Sequence, residues 1–418
     1  MFIYQVRRII NKDHTLNNFE LRNNPTSEWI SNLRKRYPVE RTVDQVLTKK
    51  LNRRSHGSMI VTDLSELKIR LEKFLSKRIE GNFEIRNLAP LTGGASKEQF
   101  AFEIDWVCNG MQRISEKMVL RREPSESVVE SDRLREFQLV HAVKDFVPVP
   151  TAYWLDQTGD ELVRPALIYG FVEGVQKPEA GSRNVTGVGI EFDKYHREII
   201  GPQMVKYLAK IHNFDGEGAD LSAFDFPEVG TTQDIDWQIN WWARVWQEDM
   251  FEAIPLVTTA EHWLRLNRRP LDKISLVHSD YRTGNYLFDP DTKKITAILD
   301  WELGYFGDRH FDLAWLLLPV FVTRGENDEK LYSSIFNKEE FVQAYEKTSG
   351  LTVDEDRLKY YTVMALWKGV IMTLGSSLRT AYGLKSHQDV VLSWFGGLGY
   401  TLLEALRQAL LSAENGKC

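Results

Sequence analysis

Cysteine is scarce in this chain, which has only Cys108 and Cys418 among its 418 residues. Two thiols can build neither a disulfide framework nor a tetrahedral thiolate metal site. Long apolar runs are also lacking, because the longest, Leu313 to Val322, is too short to span a bilayer. The opening MFIYQVRRII lacks the apolar core and the cleavage site of a signal peptide. These absences predict a reduced, cytoplasmic protein without a membrane partner.

Charge is unevenly distributed along the chain, although the net charge is only −6. Residues 1–80 carry 17 Lys and Arg against 9 Asp and Glu, whereas residues 173–261 carry 7 against 16. A basic segment can indicate a nucleic-acid partner. Here the basic residues are scattered among apolar ones and form no recognisable nucleic-acid motif. We therefore expect no nucleic-acid partner, and expect the basic segment to dock against the acidic one or to present a solvated helix face.

The pattern of predicted elements changes twice along the chain. Residues 1–58 contain short amphipathic helices and end in a linker, and a capped amphipathic helix follows, with Asp63 and Glu66 placed as a capping box. Strand-like segments continue to about residue 172, and helices dominate from about residue 195. We predict an α+β chain with a basic helical extension (1–58), a small β-rich lobe (59–172) and a larger helical lobe (173–418), with a cleft between the lobes.

Two polar segments of the larger lobe carry the candidate chemistry. LVHSDYRTGNYLFDP (276–290) supplies Asp280 and Asn285, and LDWELGYFGDRHFDLAW (299–315) places Asp300 after a probable buried strand. Phosphoryl transfer to a hydroxyl needs a carboxylate that orients the hydroxyl and accepts its proton. It also needs magnesium, which prefers oxygen ligands. We assign Asp280 as the catalytic residue and Asn285 with Asp300 as magnesium ligands; the competing interpretation is that all three are turn formers.

These segments resemble the aminoglycoside phosphotransferase-like family, which has the protein-kinase-like fold. More narrowly, they resemble the subgroup related to kinase domains fused to acyl-CoA dehydrogenases, whose motifs read much like HGDYRLGNxLFD and DWELAxxGDPxxDLAW. The resemblance covers about residues 60–400 and is weak in residues 1–55. It implies a two-lobed kinase-like fold that uses ATP or GTP.

The resemblance also assigns nucleotide-binding residues in the small lobe. The segment LTGGAS matches the loop over the phosphates, and glycine lets backbone N–H groups approach phosphate oxygens. MVLRR matches the strand that normally presents a phosphate-binding lysine, and an arginine stands there instead, with a helical glutamate as its partner. IYGFVEG matches the hinge whose backbone faces the adenine edge, with Tyr169 at its entrance. The implied residues are Gly93, Gly94, Ser96, Arg121, Glu136, Gly170, Phe171 and Val172.

Four further residues are expected to support the site without touching substrate. We interpret His212 as structural and His278 as a backbone anchor. Asp312 resembles the family's buried aspartate that supports the catalytic loop, and Asp308 is expected to help the same loop.

The function predicted on this basis is a small-molecule kinase that phosphorylates a hydroxylated acceptor. The subgroup resemblance suggests a hydroxyacyl thioester, whereas the acidic stretch 173–261 leaves a cationic aminoglycoside open. Two competing hypotheses are a nucleotide-binding scaffold without catalysis and a protein kinase. An aromatic cluster could line an acceptor pocket or could pack in the core: Trp237, Trp241, Trp242 and Trp246.

Overall fold

The computed structural model describes residues 14–54, 63–91, 96–108, 112–178, 190–382 and 389–415. Gly93 and Gly94 of the expected phosphate loop lie outside these residues. The chain opens with an N-terminal arm, residues 14–54, in which a threonine cap and spaced apolar residues produce short amphipathic helices. Its helices are α1 (His14–Asn23), α2 (Ser27–Arg36) and α3 (Arg41–Arg54).

The helix after the arm, α4 (Leu64–Leu75), begins at the residue that the sequence predicts. Asp63 caps it by accepting a hydrogen bond from the Ser65 N–H at 2.8 Å. Glu66 pairs with Arg70 one turn later, so only half of the expected capping box forms. The apolar face of α4, with Leu71 fully buried, packs on a sheet.

That sheet is antiparallel, five-stranded and ordered β1-β2-β3-β5-β4. Its strands are β1 (Glu84–Pro90), β2 (Glu98–Cys108), β3 (Gln112–Arg122), β4 (Ala152–Asp156) and β5 (Ala166–Gly170). One face packs against α4, and Leu167 and Tyr169 of β5 join the main core on the other side. Helix α5 (Arg133–Val143) contributes Leu139, Val140 and Val143 to that core. The sheet thus holds β3 and α5 next to each other, with the candidate nucleotide residues between them.

The remainder is mainly helical and contains short two-stranded sheets. Its helices are α6 (Lys194–His212), α7 (Gln233–Asp249), α8 (Pro255–Leu266), α9 (His310–Leu316), α10 (Lys338–Ser349), α11 (Glu355–Val370), a π-helical segment (Ile371–Ser377), α12 (Leu378–Tyr382) and α13 (Asp389–Asn415). Its strands pair as β6 (Ser275–Val277) with β9 (Tyr305–Gly307), β7 (Tyr286–Phe288) with β8 (Ile295–Ile298), and β10 (Val322–Arg324) with β11 (Lys330–Tyr332). Across the described ranges, no helix has the length and apolar character needed to cross a bilayer.

The basic arm docks on the body through buried ion pairs. Lys50 contacts Glu248 at 3.2 Å and Asp249 at 2.6 Å, and its side chain is almost completely buried. Arg54 contacts the same Asp249 at 2.7 Å and Glu126 at 2.6 Å. Two of these carboxylates lie in the acidic stretch 173–261. The contacts confirm, for these cations, that the basic segment docks against acidic residues.

Replacement of Lys50 by alanine should lower the free energy of unfolding by about 3 kcal/mol, because it leaves buried carboxylates with fewer cations. Lys49→Ala is the matched control, since Lys49 is exposed on the same helix and its loss should matter by less than about 0.5 kcal/mol. Urea denaturation of both variants measures the difference. Equal midpoints for the two variants would show that the Lys50 pairs do not stabilise the docked arm.

Candidate active site

The loop from His278 to Asn285 follows β6 and is held by one buried carboxylate. Asp312 of α9 accepts the His278 N–H through Oδ2 and the Ser279 N–H through Oδ1, both at 2.7 Å. Burial lowers the pKa of His278, and its Nε2 lies 2.9 Å from the Leu299 carbonyl. The Asp280 N–H donates to His278 Nδ1 at 3.3 Å. His278 and Asp312 therefore stand in the supporting positions that the sequence predicts.

The two other residues that were expected to support the site, His212 and Asp308, have different partners. His212 is buried between the Tyr345 hydroxyl, at 2.7 Å, and Asp312, at 3.2 Å, which agrees with a structural role. Asp308 pairs with His310 at 2.6 Å and with Arg357 at 2.7 Å. Asp308 therefore fixes the start of α9, and no described hydrogen bond or ion pair joins its side chain to the 278–285 loop, so its expected help to that loop stays a prediction.

The Asp280 carboxylate is held by hydrogen-bond donors from three directions. Its Oδ1 accepts from Trp315 Nε1 at 2.7 Å and from Arg282 Nε at 3.0 Å. Its Oδ2 accepts from Asn285 Nδ2 at 2.5 Å. The side chain remains 21% exposed, at the edge of a cavity. The group is thus fixed in orientation and still open to a ligand, as a hydroxyl-orienting carboxylate must be.

Asn285 and Asp300 lie on neighbouring segments that a backbone hydrogen bond joins. The Leu299 N–H donates to the Asn285 carbonyl at 2.8 Å, next to the β7–β8 pairing. Asp300 has φ 60 and ψ 50, a left-handed conformation that is unfavourable for a residue other than glycine. Burial, together with Glu302 and Asp280, raises the pKa of Asp300, although Arg121 opposes the shift. Strain and crowded charge of this kind are typical of functional sites.

These two side chains fit a magnesium ion. The Asn285 amide donates to Asp280 through Nδ2, and no described residue donates a hydrogen bond to its Oδ1. Although the surrounding protein atoms desolvate the Asp300 carboxylate, 40% of its side-chain surface stays accessible to solvent, and it lines the cavity of about 230 Å³ described below. Among the residues that the structure describes, no three His, Cys, Asp or Glu side chains converge as a metal site. One carboxylate and one amide oxygen suit magnesium, which keeps water and phosphate as its other ligands.

Arg121 and Glu136 form the ion pair that the resemblance implies. Arg121 Nη1 donates to Glu136 Oε1 at 2.7 Å, and Nη2 lies 2.8 Å from Asp300 Oδ1. The Tyr169 hydroxyl also donates to Glu136, at 2.8 Å. Glu136 is buried, although a helical glutamate is usually exposed. The guanidinium therefore lies between the helix glutamate and the candidate metal ligand.

A second acidic residue, Glu302, pairs with buried cations that the sequence did not predict. Glu302 contacts Arg133 at 3.1 Å, Lys97 at 3.3 Å and Arg121 at 3.4 Å. Burial opposes its ionisation, but these cations outweigh burial and hold the pKa of Glu302 well below its usual range. The Ser96 hydroxyl donates to Glu302 at 2.8 Å, so this predicted phosphate-loop residue is tied to the metal segment.

A cavity of about 230 Å³ lies between the hinge and Asp300. Its apolar walls include Leu91, Val119, Val140, Leu287 and Ile298, and Arg121 and Asp300 stand at its polar end. This lining is suited to a flat heteroaromatic base whose charged substituents point toward the cation and the metal ligands.

The hinge offers the cavity fewer backbone donors than expected. The Gly170 N–H donates to Thr151 at 2.8 Å, and the Phe171 N–H donates to Lys117 at 2.8 Å. In the described chain the Val172 N–H has no hydrogen-bond acceptor. Of the three hinge residues whose backbone is predicted to face adenine, only Val172 therefore has an N–H without an acceptor among the described residues.

A second cavity, of about 130 Å³, is lined in part by Asp280. Its lining is mainly apolar and comes largely from α9, the segment after it, the π-helical segment and α13: Trp315, Leu318, Val320, Phe321, Met372, Phe395, Leu398 and Leu402. Arg282, Thr373 and Ser377 add polar groups to it. Among the described residues that line it, Asp280 carries the only carboxylate. Of the two alternatives left open for the α7 tryptophans, core packing applies to Trp241, Trp242 and Trp246, which are buried in the main core.

The fold and this site define a phosphotransferase of the kinase-like class. The chain belongs to the phosphotransferase enzyme family (APH), whose family model matches residues 87–359. The two motif segments, the hinge and the sheet, apart from the first three residues of β1, lie inside the matched range. The α+β, protein-kinase-like fold expected from the sequence is confirmed.

Individual relatives are distant. The chain is 26% identical over 281 residues to mouse acyl-CoA dehydrogenase family member 10, covering 65% of this chain and 25% of the relative. It is 26% identical over 298 residues to rat acyl-CoA dehydrogenase family member 11, covering 68% and 36%. The chain thus spans about a quarter to a third of the length of these curated relatives. A solved Ralstonia eutropha structure, provisionally named an aminoglycoside phosphotransferase, shares the fold with a TM-score of 0.57 and 22% identity, covering 82% of this chain and 98% of that one.

Proposed function

We propose that the protein transfers the γ-phosphoryl group of ATP or GTP to a hydroxyl group on a small, largely apolar molecule. The observation that carries the proposal is that Asp280 lines an apolar cavity and is also hydrogen-bonded to a residue beside the nucleotide cavity, which Asp280 itself does not line. On one side it is bonded to Asn285, next to the cavity that Arg121 and Asp300 line. On the other side it lines the apolar cavity. A donor and an acceptor bound in these cavities would meet at Asp280.

The proposed residues divide the reaction between them. Asp280 orients the acceptor hydroxyl and takes its proton as the oxygen attacks the γ-phosphorus. The bond from that phosphorus to the β-phosphate oxygen breaks, and the nucleoside diphosphate leaves. Arg121, held by Glu136, stabilises charge on the phosphates. Asn285 and Asp300 would hold magnesium, which neutralises phosphate charge when it is bound.

The lining of the second cavity favours an acyl-type acceptor over an aminoglycoside. A polycation needs several anionic groups, and the described lining provides only Asp280. Part of the acidic stretch that could have attracted a polycation is already paired with the arm, through Glu248 and Asp249. The names of the acyl-CoA dehydrogenase relatives support a hydroxyacyl thioester as the acceptor.

The test is a transfer assay with magnesium and either ATP or GTP, read by product mass. The acceptors are hydroxyacyl thioesters of increasing chain length, the corresponding free hydroxy acids, and aminoglycosides. We expect a phosphorylated hydroxyacyl product and none from the aminoglycosides. Transfer to aminoglycosides alone would overturn the acceptor class, and no transfer to any acceptor would favour the scaffold hypothesis.

The acceptor cavity also predicts a specificity variant. Phe395→Ala removes one apolar wall, and should lower kcat/KM for the acceptor at least about 10-fold, because each lost methylene contact in such a pocket costs roughly 1–3 kcal/mol. Nucleotide affinity should not change. Trp394→Ala is the matched control, since Trp394 is 48% exposed and does not line the cavity. Equal kcat/KM for both variants would exclude this cavity as the acceptor site.

A further inference from the structure

Lys368 of α11 is buried directly behind the 278–285 loop. Its ammonium donates to the Ser279 carbonyl at 3.0 Å and to the Ser279 Oγ at 2.8 Å. No described carboxylate forms an ion pair with it, although its side chain is nearly inaccessible to solvent. Burial of an ammonium without a carboxylate partner is costly, by several kcal/mol. A merely structural position could be filled by an apolar residue, so the cation at this place calls for an explanation.

Aromatic rings take the place of the missing counter-ion. The ammonium lies 4.8 Å from the Phe311 ring centroid, 4.9 Å from that of Trp315 and 5.2 Å from that of Trp242. Ring faces attract a cation over such distances. Burial lowers the pKa of Lys368 to about 7, and the nearby charges of Asp280 and Asp312 oppose that shift. Of these rings, Trp315 also donates to the Asp280 carboxylate.

The partner of Lys368, Ser279, has an unfavourable backbone conformation. Its φ is 71, in the left-handed region that costs a residue other than glycine roughly 1–2 kcal/mol. Asp312 accepts the Ser279 N–H, while Lys368 donates to both Ser279 oxygens. The residue just before Asp280 is thus held by a carboxylate through its N–H and by an ammonium through its oxygens.

We infer that Lys368 is a positioning residue that fixes Asp280 for phosphoryl transfer. It acts by two routes, through the backbone of Ser279 and through the ring of Trp315. The effect of Lys368 on phosphoryl transfer rests on the proposed function. Its effect on the conformation of the loop does not. Loss of the ammonium should let the loop relax, while the nucleotide cavity, which neither Lys368 nor Ser279 lines, keeps its lining.

The test compares Lys368→Met with Tyr360→Phe. Methionine keeps an unbranched side chain for the aromatic surroundings but removes every donor. Tyr360 lies on the same helix, and its buried hydroxyl donates to the Leu264 carbonyl at 3.0 Å, away from the loop. Magnesium-dependent hydrolysis of ATP and of GTP serves as the activity probe, and titration of the same nucleotides gives affinity.

We expect Lys368→Met to lower kcat by roughly 10²-fold, the cost of a displacement of about 1 Å at a reacting group. Its KM for nucleotide should stay within about twofold of wild type, and Tyr360→Phe should leave kcat unchanged. Ser279→Ala is the milder second variant, and loss of its single hydrogen bond should cost about 2- to 12-fold in kcat. If wild type, Lys368→Met and Ser279→Ala all have the same kcat, the inference is overturned.

Hydrogen exchange separates the failure of this inference from the failure of the proposed function. The backbone amides of residues 278–285 should exchange faster in Lys368→Met than in wild type or Tyr360→Phe. If the wild-type protein neither hydrolyses nor transfers, the proposed function fails, and exchange alone decides whether Lys368 holds the loop. Unchanged exchange in Lys368→Met would overturn the positioning role in either case.

Discussion

Asp280→Asn should lower the rate of phosphoryl transfer by roughly 10²- to 10⁴-fold, the usual contribution of a general base. The substitution keeps the size of the side chain but removes its negative charge and most of its basicity. Nucleotide affinity should change by less than about 1 kcal/mol, because Asp280 lines the acceptor cavity and is not among the residues that line the nucleotide cavity.

The design needs a control for loss of charge alone. Asp291→Asn makes the same chemical change at an exposed turn of the β7–β8 hairpin, and we expect it to leave transfer unchanged. Before an acceptor is known, hydrolysis of ATP and GTP by water can stand in for transfer. If wild type and Asp280→Asn hydrolyse and transfer equally, Asp280 is not the catalytic residue. If the wild-type protein shows no turnover with any acceptor, the scaffold hypothesis gains instead.

The candidate site could be predicted where its residues lie close together in sequence. Asp280 and Asn285 share one loop, and Asp300 follows the hairpin that begins directly after that loop. Because residues that are close in sequence can adopt few relative positions, the residue types and their spacing are enough to predict that these side chains lie near one another. The amphipathic pattern of α4 and the alternation of the strands predicted those elements for the same reason.

Contacts between distant segments could not be predicted in this way. Lys368 lies 89 residues from Ser279, and Arg133 lies 169 residues from Glu302. Nothing local marks either cation as buried, because lysine and arginine are usually exposed. A role for Glu302 in the site was easier to predict, since Glu302 stands two residues after Asp300 in the same motif. The sequence also could not decide whether the α7 tryptophans form a pocket or a core, because helical spacing is the same in both cases.

The charge asymmetry illustrates the difference between a general and a specific prediction. Opposite net charges in two segments favour docking, and buried pairs such as Lys50 with Asp249 confirm it. The asymmetry does not select those partners, because Glu126, which pairs with Arg54, lies outside the acidic stretch. Only the packing of α3 against the body brings these groups together.

Asp300→Ala should abolish most of the gain in nucleotide affinity that magnesium provides. Asp300 is the only anionic side chain of the proposed pair, so its loss should cost at least the roughly 10- to 100-fold in metal affinity that is typical of losing an outer-shell partner. Asn285→Ala should cost less, because a neutral amide contributes less to holding a dication.

The ion pair between Asp300 and Arg121 makes this test more specific. Loss of Asp300 should weaken nucleotide binding in the presence of magnesium but should not weaken it in the absence of magnesium. Without magnesium, Asp300→Ala removes a negative charge near the phosphates and the nearer of the two carboxylates that contact the Nη2 of Arg121, at 2.8 Å for Asp300 and 3.4 Å for Glu302. Nucleotide affinity in the presence of a chelator should therefore stay equal or rise, while affinity with magnesium falls. Calorimetric titration of ATP and GTP under both conditions measures the two terms, with Asp291→Asn as the control for charge. An unchanged magnesium-dependent gain in Asp300→Ala would exclude Asp300 as the metal ligand, whereas equal losses with and without magnesium would assign it to the nucleotide cavity alone.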